Sequence, residues 1–302
     1  MTLHPGSTIG TYVIGDLLGR GTWGDVYDAR HTESDRPVAL KVLSPDLAWH
    51  REVFTRVQRE VRTGAILDHP NIARVFDVGC DRGIPFVASE LLRGTSLRAR
   101  LTRGPLPAPA AAQYAAQIAR GLAAAHEAGV THRDLKPEHI FITDTDAVKI
   151  LDFGLAKTWF ESLELFEADA RRSTPLASVV HSLAYLSPEQ VWGEEADERS
   201  DIFSLGVIVY EMLRGQVPFR RGTPIETLRA IVNDTPAPLA PASDLQADLE
   251  RIVRRCMAKD RAHRFQSMRD VEFSLEESVG RAGGGPGAAA CAAIRTECRP
   301  RN

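Results

Sequence analysis

Several features of secreted, membrane-spanning and zinc-binding proteins are missing from this sequence. Its 302 residues include only four cysteines and no CxxC pair, so neither a zinc site nor a disulfide framework is predicted. No run of about 18 apolar residues occurs, and the N-terminus MTLHPGSTIG lacks the basic and apolar regions of a signal peptide. We therefore expect reduced thiols, no membrane segment and a cytoplasmic location.

An excess of charge of one sign is missing as well. The formal net charge is -3 and the basic residues form no continuous run, which predicts no nucleic-acid partner. Hydrophobic residues make up 43% and charged residues 25%, as in soluble proteins with a sizeable core. Lysine is rare, at five of the 37 basic residues. Because arginine supplies most positive charges, each lysine is a candidate for a role that needs a compact ammonium group, such as phosphate binding.

The first 90 or so residues alternate and turn like strands. The segments TYVIGDLLG, DVYDAR and PVALKVL predict a three-stranded meander within residues 11–43. Residues 51–67 place apolar side chains at four-residue intervals, as in an amphipathic helix, and ARVFDV and PFVASEL predict two further strands. We therefore expect a small antiparallel-sheet lobe over about residues 11–90, after an N-terminal extension of residues 1–10.

Beyond the segment LLRGTS the pattern is mainly helical. Helices are predicted at residues 108–128, 199–214 and 247–257, and two short strands, HIFIT and AVKIL, lie where polar motifs cluster. The fold class is thus α+β, with a larger, mainly helical lobe over about residues 93–278. Residues 279–302 are rich in glycine and alanine and are predicted to form a flexible tail.

The stretch GRGTWGDV places Gly19, Gly21 and Gly24 between two predicted strands. Glycines at these spacings let the backbone approach a triphosphate and offer N–H groups to its oxygens. A tight hairpin would explain the same glycines, whereas a dinucleotide-binding fold would need a helix after them and DVYDAR is strand-like.

The sequence VALK then ends in Lys41, and Glu60 in the predicted helix is a candidate carboxylate partner. A surface lysine and a solvated helix face are the alternative interpretation of these two residues.

The stretches HRDLKPEHI and LDFG are more specific. Asp134 can accept the proton of a substrate hydroxyl, Lys136 can steady a phosphoryl group, and Asp152 can hold Mg²⁺ across the phosphates. Together with the glycine loop, VALK, the helix glutamate and SPE (Ser187 to Glu189), they resemble the signature set of the protein kinases in order and spacing. The resemblance covers roughly residues 10–278.

The segments SLAYLSPEQ and DERSDIFSLGVIVYEML are most similar to the bacterial eukaryotic-type (Hanks-type) serine/threonine kinases, and Lys136 is typical of serine/threonine rather than tyrosine kinases. The resemblance implies a bilobal protein kinase-like domain over residues 11–278. It implies ATP and a divalent cation, Mg²⁺ or alternatively Mn²⁺, as cofactors, with protein serine or threonine as the acceptor. A homodimer would allow one copy to phosphorylate the other.

The resemblance also implies roles for individual residues. The catalytic residues would be Asp134, Lys136, Lys41 and Glu60, and the metal ligands would be Asp152 and His139. The backbone of the hinge from Glu90 to Leu92 would bind adenine. The remaining nucleotide contacts would come from Leu18, Gly19, Gly21, Gly24, Val26, Ala39, Lys41, Phe141 and Asp152, with Ser89 behind the base. Two structural roles are also implied: Asp201 anchors the catalytic loop, and Glu189 pairs with Arg264.

Four positions depart from the family pattern. Gly64 leaves a gap in the predicted helix, His181 replaces a glycine, and Ser182 stands mildly in place of a threonine. His139 stands where a metal-binding asparagine is expected. It could bind metal through nitrogen and favour Mn²⁺, supply a positive charge itself, or only tie the loop by a hydrogen bond.

These departures leave a pseudokinase, a nucleotide-binding scaffold, as the alternative to an active enzyme. A small-molecule phosphotransferase is disfavoured, since SPE and the segment before it serve to bind polypeptide. For an active enzyme we expect autophosphorylation within residues 171–182, at Ser173, Thr174 or Ser178, with Arg133 receiving the phosphate. No acidic cluster near Thr95 and Ser96 indicates a preference for basic peptides.

Overall fold

The computed structural model describes residues 3–21, 24–43, 67–153, 183–240 and 242–283. An antiparallel sheet with its own small hydrophobic core comes first along the chain. A mainly helical part with a much larger core follows. The predicted class is confirmed: α+β, with a small antiparallel-sheet lobe and a larger, mainly helical lobe.

Six strands form the first sheet, in the order β1-β2-β3-β4-β6-β5, and every neighbouring pair is antiparallel. The strands are β1 (Thr8–Ile9), β2 (Tyr12–Gly21), β3 (Gly24–His31), β4 (Pro37–Leu43), β5 (Val75–Asp81) and β6 (Ile84–Glu90). The predicted meander is β2 to β4, and the two further predicted strands are β5 and β6. In β4, Val38, Leu40 and Val42 are buried in the core. Because side chains alternate along a strand, Ala39 and Lys41 lie on its opposite face.

The first described residues belong to this sheet and are not a separate extension. Ile9 is buried and pairs with Tyr12, and the Gly6 amide donates to the carbonyl of Ile14 at 2.8 Å. The Leu3 amide donates to the Tyr27 hydroxyl at 3.1 Å. The predicted boundary at residue 10 therefore falls inside the sheet. Most of the predicted helix at 51–67, including Glu60 and Gly64, lies outside the described residues.

A second, three-stranded sheet has the order β7-β8-β9, with β7 (Gly94–Ser96), β8 (Ile140–Thr143) and β9 (Val148–Ile150). The predicted hairpin of HIFIT and AVKIL is β8 and β9. Strand β7 was not predicted, since three residues are too few to show a period. Gly94 has φ +141°, and a Cβ there would lie 2.1 Å from the Ile142 carbonyl oxygen, so only glycine allows this approach.

The helices of the described residues are α1 (Leu97–Leu101), α2 (Ala108–Glu127), α3 (Pro188–Val191), α4 (Glu198–Arg214), α5 (Pro224–Asn233), α6 (Asp244–Cys256) and α7 (Met268–Gly283). Single 3₁₀ turns occur at Pro137–His139 and Arg261–His263. The three predicted helices are α2, α4 and α6, and the apolar stripe predicted on α6 is buried. The alanine-rich face of α2 is buried, and its small side chains let α4 and α7 pack closely on it.

The last helix extends past the predicted end of the domain at residue 278. Val279 packs against the large core, and Arg281 pairs with Asp248 at 3.0 Å. Residues 279–283, predicted to be the start of a flexible tail, are therefore helical, and residues 284–302 lie outside the described part. Across the described ranges, no helix combines the length and the apolar character needed to cross a bilayer. Cys80 and Cys256 are free thiols.

Candidate active site

The catalytic loop is anchored by Asp201, a buried residue in the first turn of α4. Its carboxylate accepts hydrogen bonds from the backbone amides of His132 and Arg133, both at 2.8 Å, and lies 2.8 Å from Nε2 of His126. Burial alone would raise the pKa of Asp201, but the hydrogen bond and charge of His126 and the backbone donors lower it. Arg133 has φ +67°, a strained conformation for a non-glycine residue. The predicted anchoring role of Asp201 is confirmed.

The His132 imidazole joins the catalytic loop to the strand that leads to Asp152. The Asp134 amide donates to Nδ1 at 3.3 Å, and Nε2 lies 2.9 Å from the Leu151 carbonyl oxygen. Because an amide can only donate and a carbonyl can only accept, Nδ1 accepts from the Asp134 amide and Nε2 donates to the Leu151 carbonyl. The ring also meets Phe153 edge-on, with centroids 4.8 Å apart. These contacts fix Asp134 and Asp152 relative to each other.

Asp134 and Lys136, each predicted to be catalytic, form an ion pair in the structure. Lys136 Nζ lies 2.7 Å from Asp134 Oδ2, and the lysine is 7% exposed. Lys136 immediately precedes the 3₁₀ turn Pro137–His139. The loop therefore presents a carboxylate and an ammonium group side by side.

A second acid–lysine pair links the two lobes. Lys41 Nζ on β4 lies 2.8 Å from Asp152 Oδ2, just after β9. Burial would raise the pKa of Asp152, but the charge and hydrogen bond of Lys41 outweigh burial and lower it. Asp152 is therefore ionised, and it also has a strained backbone, with φ +63°. Glu60, the predicted partner of Lys41, lies outside the described residues.

His139 is buried between the two pairs. Its Nδ1 lies 2.8 Å from the backbone oxygen of Asp134 and so donates to it, while Nε2 lies 3.5 Å from Oδ2 of Asp152. Burial first, and then the Lys136 charge, lower the pKa of His139 to about 4, against the opposing effect of the two carboxylates. The ring is therefore neutral near pH 7, with the Nε2 lone pair directed toward the side of Asp152.

These donors can hold part of a metal site. Within the described ranges, no three His, Cys, Asp or Glu side chains come together as a metal cluster. His139 Nε2 and Asp152 Oδ2 place one nitrogen and one oxygen lone pair beside each other. A divalent cation bound there would need its remaining ligands from phosphate oxygens and water, as is usual for cations that bind nucleotides.

The predicted glycine loop is the turn of the β2–β3 hairpin, in which Gly21 pairs with Gly24. Thr22 and Trp23 lie outside the described residues. Gly24 has φ +151°, and a Cβ there would lie 1.9 Å from the Val42 carbonyl oxygen, so strand packing alone requires glycine. A Cβ on Gly19 would meet nothing within 4 Å, and Leu18 is 53% exposed. Packing within the sheet is therefore enough to require glycine at position 24. At position 19 there is room for a side chain, so packing does not require glycine there.

The predicted adenine site lies where β6 leads into the second sheet. Ala39 pairs with Ser89 near the end of β6, and Val26 pairs with Lys41. Phe141, half-buried, lies on β8. The described residues thus include Val26, Ala39 and Phe141, the predicted nucleotide contacts, and Ser89, predicted to lie behind the base.

Sequence reasoning missed the side-chain contact of the hinge. Glu90, the last residue of β6, pairs through Oε2 with Lys149 Nζ of β9 at 2.9 Å, and Leu92 follows two residues later. This pair joins the hinge to the strand that leads to Asp152. The rarity of lysine indicated that Lys149 has a specific role, but nothing in the sequence identified Glu90 as its partner.

The other predicted structural pair is also formed. The two terminal guanidinium nitrogens of Arg264, Nη1 and Nη2, donate to the Glu189 carboxylate at 2.7 Å, and the arginine side chain is fully buried. The Ser200 hydroxyl donates to the same carboxylate at 2.7 Å. The predicted Glu189–Arg264 pair is confirmed. Ser173, Thr174, Ser178, His181 and Ser182 lie outside the described residues.

Comparison with known proteins agrees with this geometry. The protein kinase domain family matches residues 12–272. The serine/threonine-protein kinase PknB of Mycobacterium leprae is 36% identical over 270 residues, which are 87% of this chain and 42% of that protein. PknD of Mycobacterium tuberculosis is 37% identical over 279 residues, 91% of this chain and 40% of that protein. The chain thus spans about two fifths of the length of these relatives.

Solved structures agree as well. The kinase domain of PknI from Mycobacterium tuberculosis superposes with a TM-score of 0.71 at 27% identity, covering 92% of this chain and 100% of that one. The two chains therefore share one fold, which includes both the described sheets and the described helices of this chain. The chain belongs to the protein kinase family, in its bacterial eukaryotic-type serine/threonine branch.

Proposed function

We propose that this chain transfers the γ-phosphoryl group of ATP to serine or threonine hydroxyls of proteins. The observation that carries the proposal is the pair of acid–lysine contacts, Lys136–Asp134 at 2.7 Å and Lys41–Asp152 at 2.8 Å, on either side of one imidazole. The proposed kinase unit spans residues 11–278, with lobes at about 11–90 and 93–278. The family match at residues 12–272 falls within that range, and the structure adds β1 before it and residues 279–283 of α7 after it.

In the proposed reaction the substrate hydroxyl attacks the γ-phosphorus. Asp134 accepts the hydroxyl proton as the new oxygen–phosphorus bond forms, and the bond to the β-phosphate oxygen breaks to release ADP. Lys136, beside Asp134, offsets the negative charge on the transferring group. Lys41 orients the phosphates, and its pairing with Asp152 keeps both charges satisfied before nucleotide binds. Glu60 is proposed as the carboxylate that holds Lys41 afterwards.

ATP is proposed to lie between the hairpin and the catalytic loop. Leu18 and the loop glycines Gly19, Gly21 and Gly24 would cover the phosphates. Val26, Ala39 and Phe141 would enclose adenine, and the backbone of Glu90 and Leu92 would bind its edge. Strands β2, β3, β4 and β6, which are neighbours in one sheet, carry most of these residues, while Phe141 lies on β8 and Leu92 follows β6; this placement supports the proposal.

We further propose that His139 and Asp152 are metal ligands and that Mn²⁺ supports more activity than Mg²⁺. A bound divalent cation neutralises phosphate charge and fixes the phosphates for transfer. A neutral imidazole offers nitrogen, which Mn²⁺ accepts more readily than Mg²⁺ does. The lowered pKa of His139 argues against the alternative in which a charged imidazolium replaces the cation. The hydrogen bond to the Asp134 carbonyl uses Nδ1 and leaves Nε2 to face Asp152.

Autophosphorylation at Ser173, Thr174 or Ser178 belongs to the same proposal. Nε of Arg133 is buried without a hydrogen-bond partner in the described part of the chain, which suits a residue that receives a phosphate. Transfer between two copies in a homodimer is the proposed route.

An enzyme that consumes ATP acts where ATP is abundant, so we propose a cytoplasmic location for this domain.

The test is transfer of radiolabelled γ-phosphate to a generic protein acceptor, in Mg²⁺ and then in Mn²⁺, followed by phosphoamino-acid analysis. We expect label on serine and threonine, with more label in Mn²⁺. Label on tyrosine alone would refute the acceptor class. Nucleotide binding without transfer in either metal would favour the pseudokinase alternative.

A further inference from the structure

Arg98, in the short helix α1 and outside every sequence motif, is the centre of a polar cluster whose other members, Glu138, Tyr185 and Glu211, lie within the motifs. Its Nε donates to Oε1 of Glu138 at 2.8 Å, and its Nη1 donates to Oε1 of Glu211 at 2.7 Å. Its Nη2 donates to the hydroxyl of Tyr185. The Tyr185 hydroxyl donates in turn to the other Glu211 oxygen at 2.6 Å. One guanidinium group therefore binds two carboxylates and a phenol.

The cluster joins four parts of the chain that are distant in sequence. Arg98 belongs to α1 and Glu211 to α4, while Tyr185 precedes the SPE motif by two residues. Glu138 belongs to the 3₁₀ turn Pro137–His139. Tyr185 and Glu211 are buried, whereas the Glu138 side chain is 39% exposed. Glu138 is thus the exposed partner, and Arg98 joins it to the two buried residues.

The turn held in this way carries the proposed chemistry at both ends. It starts after Lys136 and ends at His139, whose amide donates to the Lys136 carbonyl at 2.9 Å. A movement of Glu138 would therefore displace its neighbour His139 and, through the turn, Lys136. A misplacement of about 1 Å in a catalytic constellation can reduce the rate by about 100-fold.

We propose that Arg98 is a positioning residue for phosphoryl transfer, which holds the turn Pro137–His139 in place through Glu138. The proposal rests on the proposed kinase function. It assigns Arg98 no contact with ATP or with the acceptor. Its effect should therefore appear in kcat and not in the KM for ATP.

The first experiment compares Arg98→Met with Arg100→Met. Arg100 lies on the same helix and makes none of the cluster's hydrogen bonds, so it controls for the loss of a positive charge. We expect Arg98→Met to lower kcat per folded molecule by about tenfold with little change in the KM for ATP, and Arg100→Met to have no such effect. Arg98→Lys, which keeps the charge and the apolar stem, should recover part of the loss.

A second variant guards against an effect of misfolding. Glu138→Gln removes the charge at the exposed end of the cluster and leaves the buried Tyr185–Glu211 contact intact. We expect it to lower kcat as well, and the double variant Arg98→Met, Glu138→Gln to fall no further than Arg98→Met alone. Fully additive losses would mean that Arg98 does not act through Glu138, and would overturn the proposal.

Hydrogen exchange tests the same idea without any activity. The amides of Glu138 and His139 should exchange about tenfold faster in Arg98→Met than in wild type, and at the wild-type rate in Arg100→Met. Unchanged exchange, or faster exchange with wild-type kcat, would overturn the proposal. A wild-type chain that transfers no phosphate refutes the kinase function instead, and exchange then decides by itself whether Arg98 holds the turn.

Discussion

The two sides of the proposed nucleotide site are constructed differently. On the hairpin side, Leu18 is 53% exposed, a Cβ on Gly19 would meet no neighbouring atom within 4 Å, and the backbone is held by strand pairing. On the catalytic-loop side, His132, Lys136 and His139 are 1%, 7% and 8% exposed. Buried side chains from other elements hold the backbone there.

This difference separates binding from catalysis. The loop is anchored from α4 by Asp201, from β9 through the Leu151 carbonyl and from α1 by Arg98. Removing one partner of such a buried polar contact costs several kcal/mol. Substitutions in the loop's anchors should therefore lower both stability and rate, whereas a change at an open hairpin position such as Gly19 should mainly affect nucleotide affinity.

The largest effect on activity is expected at the contact between the two sides. Lys41→Met removes the charge that orients phosphate and leaves the Asp152 carboxylate without its 2.8 Å partner. We expect transfer to fall by at least about 100-fold, measured as initial rate with radiolabelled ATP. Arg30→Met, which removes an exposed charge from the neighbouring strand β3, should keep wild-type activity; an equal loss there would contradict a specific role for Lys41.

Removal of the loop's anchor should have the largest effect on stability. Asp201→Ala leaves two backbone amides and His126 unpaired, and should lower the free energy of unfolding by about 3 to 5 kcal/mol. Asp197→Ala removes the N-cap of the same helix, where the carboxylate accepts from the Arg199 amide, and should cost about 1 kcal/mol. Urea unfolding of both variants measures the difference. Equal losses in the free energy of unfolding would mean that Asp201 stabilises only its own helix and does not anchor the catalytic loop.

A pair of glycine substitutions separates hairpin packing from phosphate binding. Gly24→Ala places a Cβ against the Val42 carbonyl oxygen and should lower the free energy of unfolding by about 1 to 3 kcal/mol. Gly19→Ala meets nothing and should change stability by less than about 0.5 kcal/mol, but should raise the KM for ATP. Thermal unfolding and steady-state kinetics test the pair, and an unchanged KM in Gly19→Ala would remove that residue from the proposed nucleotide site.

The smallest effect is expected at His139. His139→Asn replaces a nitrogen ligand by oxygen, so the ratio of activity in Mn²⁺ to that in Mg²⁺ should fall. Because the pKa of His139 is lowered to about 4, the ring is neutral from pH 6 to 9, and the substitution should leave the pH profile over that range unchanged. A profile that loses a step near neutral pH would instead indicate a charged imidazolium in the nucleotide complex.

Local patterns in the sequence were enough to predict much of this structure. The alternation in PVALKVL predicted β4, and in the structure Lys41 lies on the face of that strand opposite the core. The periodicity of Leu249, Ile252 and Val253 predicted α6, because one face of an isolated helix must be buried. Each of these two patterns is contained within a segment of about a dozen residues.

Contacts between distant segments were not predictable in the same way. Arg98 meets partners 40, 87 and 113 residues away, and nothing in the spacing of single residues indicates that they share a cluster. Strand β7 exists only because β8 lies beside it. The neutral state of His139 depends on burial, which the motif HRDLKPEHI does not determine.

The most direct test of the account compares phosphoryl transfer by wild type and by Asp152→Ala, purified in parallel and matched for folded protein by thermal unfolding. Asp152 is the carboxylate that both Lys41 and His139 face, and it is the proposed ligand of the cation. We predict label incorporation by wild type in Mn²⁺ and in Mg²⁺, and a loss of at least about 100-fold in Asp152→Ala in both metals. Equal incorporation by the two proteins would contradict the proposal that this site transfers phosphate.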